Sequence, residues 1–470
     1  MLKSLTNEIE TTLKSLLPAD RFRDADDRYL KEPRGRFNGQ NSMVALPRST
    51  NEVSALVTAC ALARVGIVPF GGGTGLVGGQ VAADGPKPLI VSLEKMNAVR
   101  GVYAQENVLI AEAGAVLADV QAAADEQNRL FPLSLAAEGS ARIGGNLATN
   151  AGGTSVLRYG NTRDLCLGIE AVMPSGEILN GISRLRKDNT GYDLRHLLIG
   201  SEGTLGIITA AALKLSPKPA KIGTAMLVVE SPKAALALLS LARDQMGEMV
   251  SAFELIHKQG IDFLSEYVPS VRQPFDAVPE WTVLIEVGLP AAMDPQSALE
   301  TLCEEGMEAG LVSDGVIAQS QAQSDVFWQV RENIPEANRR VGSISSHDIS
   351  VPLGALAGFI KEANERIYKI GDFRINCFGH VGDGNLHYNV FPQDGHTRAE
   401  HANVREEIKR TLHDLTHELG GSVSAEHGVG RLKVDDLERY GDPTKLMTMR
   451  ALKTAIDPFG IMNPGAVLRT

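Results

Sequence analysis

Cysteine is scarce in this chain: Cys60, Cys166, Cys303 and Cys377 lie far apart in 470 residues and form no CxxC pair. Thiols so few and so spaced cannot staple a chain of this length, which excludes a disulfide scaffold and suggests reduced core residues in a cytoplasmic protein. Gathered basic charge is missing too. Lys and Arg number 46 against 57 Asp and Glu, a net charge of -11, and this excludes a nucleic-acid binder, because phosphate backbones are held by clustered cations. A few local cations could still hold a small anion. No apolar run reaches the roughly 18 to 20 residues of a membrane span. The opening stretch MLKSLTNEIETTLKSLLP sets Glu8 and Glu10 within a helical apolar spacing, unlike a signal peptide or an acid-poor transit peptide. Internal repeats and low-complexity segments are absent as well.

A chain this long exceeds what one hydrophobic core supports, so two or more domains are expected. Residues 50–65 place apolar side chains at helical spacing behind the cap region Ser49, Thr50 and Asn51, and GIVPF then reads as a short buried strand. Glycine concentrates at 71–85, 139–160 and 200–206, with strand-like PLIVSL and NVLIAEAG between. That pattern suggests a mixed α/β domain built around backbone-lined loops. The prolines of LKLSPKPAK (213–221) mark a linker. Beyond it, helical stretches such as 232–246 alternate with strands such as WTVLIEV (281–287), the pattern of a second, α+β domain. The expected division is 1–217, 218–425 and a final segment 426–470, in which a helix stops at Asp457-Pro458.

PFGGGTGLVGG contains a literal G-x-G-x-x-G at Gly73, Gly75 and Gly78, but the following QVAADGPKP cannot open the helix that a Rossmann fingerprint needs. Taken alone, such a loop reads as a flexible turn. A second, EGSARIGGNLATNAGGTSVLRYGNTRD (138–164), sets six glycines among short polar side chains, and a third, GSEGTLGII (200–208), leads into a strand. Three of them favour a large phosphate-bearing cofactor cradled by backbone N–H groups.

At GGGTG, GGNLATNAGG, GSEGTLGI and the NPG of 463–465, the chain resembles the flavoprotein family named after vanillyl-alcohol oxidase and p-cresol methylhydroxylase. The resemblance implies an α+β protein: an N-terminal two-subdomain FAD-binding domain of the p-cresol methylhydroxylase type, then a substrate or cap domain with an antiparallel sheet. It places Gly71, Gly72, Gly73, Thr74 and Gly75 at the FAD pyrophosphate, and Gly144, Gly145, Asn150 and Gly153 along the dinucleotide. Gly206 and Ile207 would lie near the isoalloxazine and Asn463 near its edge. Gly78, Gly79, Ser140, Thr149, Tyr159 and Gly160 complete the expected contact set. Some members attach the flavin to a histidine of the first loop; no histidine occurs between Pro69 and Gly79 here, so FAD is expected to be non-covalent.

CFGHVGDGNLHYNV (377–390) carries the strongest hairpin signal, Asp-Gly. A two-residue Asp383-Gly384 tip would pair His380 with His387 on one face of the hairpin. The simplest reading is two surface histidines flanking a turn. SAEHGVGRLK (424–433) supplies the alternative, because Glu426 added to two imidazoles makes a donor set for a catalytic divalent ion such as Zn2+ or Mn2+. SDVFWQVRENIPEANRR (324–340) puts Trp328 and Arg331 on one face of a helix. A lone arginine is by default a solvated ion pair.

The hairpin and AEHG resemble the D-2-hydroxy-acid dehydrogenase branch of that family. The resemblance implies that His380, His387 and Glu426 bind the metal, His427 is the base, Asn385 contacts substrate and Arg331 clamps its carboxylate. Members acting on D-2-hydroxyglutarate often have a threonine four residues after the arginine and a lysine before the HDIS-like stretch; this chain has Pro335 and Ser346. The missing cation leaves D-lactate or glycolate open as substrates, with His347 or Arg339 as candidate substitutes for the lysine. A metal-dependent hydrolase and a flavin electron-transfer subunit without substrate chemistry are the alternatives from other classes. The expected partners are a small 2-hydroxy acid, an electron acceptor such as an electron-transferring flavoprotein, quinone or cytochrome, and a second copy of the chain in a homodimer.

Overall fold

Two buried apolar runs, Ile67–Phe70 and Leu89–Ser92, pair in parallel and begin the first sheet of the protein, seen here in a computed structural model that describes residues 1–469. Met43–Ala45 continues the sheet in parallel, and Phe22–Asp24 adds an antiparallel edge. The helix Thr50–Ala63 starts where Ser49 Oγ accepts the Glu52 N–H and stops at Arg64, which is left-handed. Its Val53, Leu56, Val57 and Cys60 share a core with Ile67 and Leu89 of this sheet and with Val172 and Ile207 of a second. The second sheet is antiparallel, in the order Val99–Tyr103, Val108–Glu112, Ile207–Lys214, Cys166–Val172, Ile178–Gly181. Both belong to a unit of Met1–Gly152, Asn161–Lys218 and the chain from Glu426 onward.

Two local expectations fail in this unit. GGNLATN is helical over Ile143–Thr149, not a loop. The glycine there serves packing: a Cβ on Gly144 would come within 2.7 Å of the Ala113 Cβ. The expected linker is partly strand, because Ser216–Pro217 pairs with Arg129–Leu130. As expected, no helix opens between Phe70 and Leu89.

The other unit comprises Gly153–Gly160 and Pro219–Ala425. Leu157 lies against Gly382, and Arg158 donates to the Gly288 carbonyl at 2.8 Å and to Ser251 Oγ at 3.1 Å. An antiparallel sheet runs Val250–His257, Trp281–Leu289, Lys221–Val229, Val312–Ile317. Alternate residues face opposite ways. Phe253 and Leu255 enter the core shared with the helices Pro232–Met246 and Pro295–Glu308, whereas Glu254 and Ile256 face the helices Lys258–Tyr267 and Gln321–Val341.

A three-stranded sheet follows, in the order Ser345–Ser350, Asn385–Phe391, Arg374–Phe378. One face, with Ile349, Leu386, Tyr388 and Cys377, packs on the helices Leu353–Tyr368 and Arg405–Glu418. The other carries polar residues: Ser346, Asp348, His387, Asn389 and Asn376. Leu255 and Gly379 exchange backbone hydrogen bonds and so join the two sheets of this unit. No described helix is long and apolar enough to cross a membrane.

Candidate active site

The glycine loops of the first unit meet backbone to backbone. A Cβ on Gly72 would sit 2.2 Å from the Ser140 carbonyl oxygen, so only glycine permits this approach, while one on Gly71 would lie in ordinary contact, 3.4 Å from Gly145 Cα. Gly73 and Gly78 are left-handed, and the Gly75 carbonyl accepts from Gln80. Ser140 Oγ donates to Ala137, Thr149 Oγ to the Gly145 carbonyl, and left-handed Asn150 accepts the Arg163 N–H. Gly206 opens the strand in which the Ile207 side chain enters the apolar core, so Ile207 can meet a ligand only through its backbone. Thr74 and Gly79 are half-buried in the same first loop, whereas Gly153, Tyr159 and Gly160 belong to the segment that packs with the second unit.

Asn463 closes this arrangement, its Nδ2 donating to the carbonyls of Gly79 and Glu202 at 3.0 and 2.8 Å. Two residues inside the quoted motifs, to which no role was given, hold it together. Arg431 donates to the carbonyls of Gly78 and Gly79, and Glu202 accepts from the Val429 and Gly430 N–H groups at 2.7 and 2.8 Å. Burial pushes the Glu202 carboxyl up to about 6, against the opposing pull of those N–H groups and of Arg431. The cradle fits a dinucleotide: its walls are backbone where a Cβ would collide, and the buried Asn146 Nδ2 has no partner within the protein.

The hairpin is wider than its sequence suggests. Phe378, not His380, lies opposite His387, and residues 381–383 form a 3-10 turn, so the two-residue tip is incorrect. The chain leaves the ladder at Gly379, where it bonds Leu255 instead. The imidazoles meet nevertheless, their ring centres 5.5 Å apart and nearly perpendicular. Glu426 directly follows Ala425, whose N–H donates to the Asp348 carbonyl. One donor atom from each of His380, His387 and Glu426 lies within 4.8 Å of the others. His427, the next residue, is half-buried.

Arg331 is buried and is no solvated ion pair. Its Nε donates to Glu254 Oε2 at 2.7 Å, and its guanidinium stacks over Phe378. Glu254 Oε1 lies 2.6 Å from His380 Nδ1. Burial alone would raise the Glu254 carboxyl, but the charges of His380 and Arg331 and their hydrogen bonds outweigh it and hold it at about 2. Glu254 was missed in the sequence. Its signal was a lone acid at an alternating position of the apolar strand SAFELIH. Trp328 donates to Glu286 and shares this helix face. Asn385 Nδ2 donates to Asp348 and to the Ile349 carbonyl, while its buried Oδ1 has no partner within the protein.

Neither proposed substitute for the missing lysine reaches this face. His347 points to the opposite side of the sheet, where it bonds Ser345 and His413. Arg339 is exposed and paired with Glu336. Ser346 shares the His387 face, bonded to Ser343.

Residues 42–181 match the FAD binding domain model, and residues 218–467 match that of FAD linked oxidases, C-terminal domain. Cradle and matches together define an FAD-dependent oxidoreductase, which sets aside the hydrolase. The fold aligns with p-cresol methylhydroxylase over 99% of this chain and 98% of that one, with a TM-score of 0.75 at 16% identity. A D-2-hydroxyglutarate dehydrogenase of Xanthomonas citri pv. viticola is 36% identical, covering 98% of this chain and 96% of that protein. The mitochondrial enzyme of that name from Arabidopsis thaliana is 35% identical, covering 92% and 76%. The chain belongs to the FAD-linked oxidase family, with an α+β fold whose flavin domain is of the p-cresol methylhydroxylase type.

Proposed function

We propose that this protein oxidises a D-2-hydroxy acid, in the first place D-2-hydroxyglutarate, to its 2-oxo acid. The observation that carries the reading is the convergence of His380, His387 and Glu426 beside a buried arginine, in a chain with an FAD-binding domain. Two imidazoles and a carboxylate suit Zn2+ or Mn2+, and FAD is held without a covalent bond. When bound, the flavin supplies a hydride acceptor and the divalent ion a Lewis acid. The residues do the rest. Arg331 receives a substrate carboxylate through its planar fork, and Asn385 offers the unpartnered Oδ1 to a donor. His427 takes the hydroxyl proton as the hydride leaves the same carbon, so two electrons and two hydrogens depart together. Electrons then pass to an electron-transferring flavoprotein, a quinone or a cytochrome. Unpaired thiols accord with a cytoplasmic location, and we propose a homodimer.

Ser346 favours a second reading, in which the substrate is the shorter D-lactate or glycolate, since neither His347 nor Arg339 supplies a distal cation. Anaerobic mixing of the holoenzyme with each acid, followed at the flavin bands, decides between them. Bleaching by D-2-hydroxyglutarate that chelation abolishes and Zn2+ or Mn2+ restores is expected. Bleaching by the short acids alone establishes the second reading, and none by any of them overturns both.

A further inference from the structure

We infer that Glu254 is a positioning residue that couples the carboxylate-binding arginine to the metal-binding histidine through one shared side chain. The inference rests on the functional reading above. The two Glu254 oxygens are divided between Arg331 Nε at 2.7 Å and His380 Nδ1 at 2.6 Å, and the residue is 1% exposed. A carboxylate only accepts hydrogen bonds, so Nδ1 of His380 carries the ring proton. A metal takes the ring in its neutral form, and with Nδ1 donating to Glu254 it is Nε2 that would present the lone pair. On the other side, Nε is held and the guanidinium lies 4.8 Å from the Phe378 ring centre, which fixes the plane of the fork and directs its remaining N–H groups at substrate.

The backbone makes the coupling rigid. Leu255, next to Glu254, exchanges both backbone hydrogen bonds with Gly379, next to His380. The acid therefore cannot follow one partner without dragging the other. Glu254, Arg331 and His380 come from a strand, a helix and a loop, and no single element would keep carboxylate site and metal site in register.

The test uses FAD-loaded wild type, Glu254→Gln and His380→Ala, chelator-treated and titrated with Zn2+ or Mn2+ alone against a competing indicator. Glutamine keeps the shape. Its oxygen must face the Arg331 N–H, so its NH2 faces His380 Nδ1 and donates, which drives the ring proton to Nε2 and removes the metal lone pair. Metal affinity is expected to fall about 10- to 100-fold, with a raised KM for the 2-hydroxy acid, flavin content near wild type and a lowered Tm, because the buried Arg331 loses its counter-charge. Wild-type metal affinity in Glu254→Gln, while His380→Ala loses the ion, overturns the inference and leaves the functional reading standing. Unchanged affinity in His380→Ala overturns the functional reading itself. Glu254→Asp guards against misfolding: it keeps the charge but spans only one partner, so metal affinity and KM are expected to separate. Wild-type values for both would overturn the coupling.

Discussion

Leu255 and Gly379 exchange two backbone hydrogen bonds, of 2.9 and 3.0 Å, and this bridge sets His380 beside Glu254. Gly379 has φ 154°, and a Cβ there would lie 2.6 Å from the Asn385 carbonyl oxygen. Gly379→Ala is therefore expected to displace His380 and cost more than about 1 kcal/mol. Elemental analysis should show reduced metal per chain, while flavin absorbance, which reports the other unit, is retained.

The flavin cradle has its own steric test. A Cβ on Gly72 would sit 2.2 Å from a backbone oxygen, whereas one on Gly139 meets nothing within 4 Å. Gly72→Ala is expected to purify with little flavin and Gly139→Ala with a full complement, read from the ratio of flavin to protein absorbance. Equal loading would show that the loops can separate without loss of the cofactor.

Thiol chemistry should single out one cysteine. Burial pushes the Cys60 and Cys166 thiols up to about 12 and raises Cys377 further, and only Cys303 is half-buried. The thiolate is the reactive form. Native protein is expected to react with an alkylating reagent at Cys303 alone, and at all four after denaturation, as peptide mapping would show.

Glu202 gives a pH dependence whose sign follows from its raised carboxyl. With a native value near 6 against 4.5 for the free side chain, the folded state binds more protons between those limits. The contribution to stability is thus present below about pH 4.5 and is lost as pH rises through 6, by about 2 kcal/mol. In urea unfolding of wild type against Glu202→Gln, the wild type should lose this amount relative to the variant across that window. A constant difference would show that the Val429 and Gly430 N–H groups keep the carboxylate ionised throughout.

Much of the protein is settled locally. Apolar periodicity marks the helix Thr50–Ala63 and the strands Ile67–Phe70 and Trp281–Leu289, because burial of one face leaves its period in the chain. Glycine marks the cradle, since backbone contact at Gly72 tolerates no side chain. The meeting of His380 and His387 was legible as well, although for the wrong reason: Asp-Gly predicts a tight tip, and the tertiary bond from Gly379 to Leu255 opened it. Alternation says that His347 and Asp348 face opposite ways, but only assembled sheets and helices decide which of them faces His387. Glu254 lies 77 residues from Arg331 and 126 from His380. No local pattern encodes such a contact: it exists only once packing has brought strand, helix and loop together and removed the water that would otherwise have solvated all three.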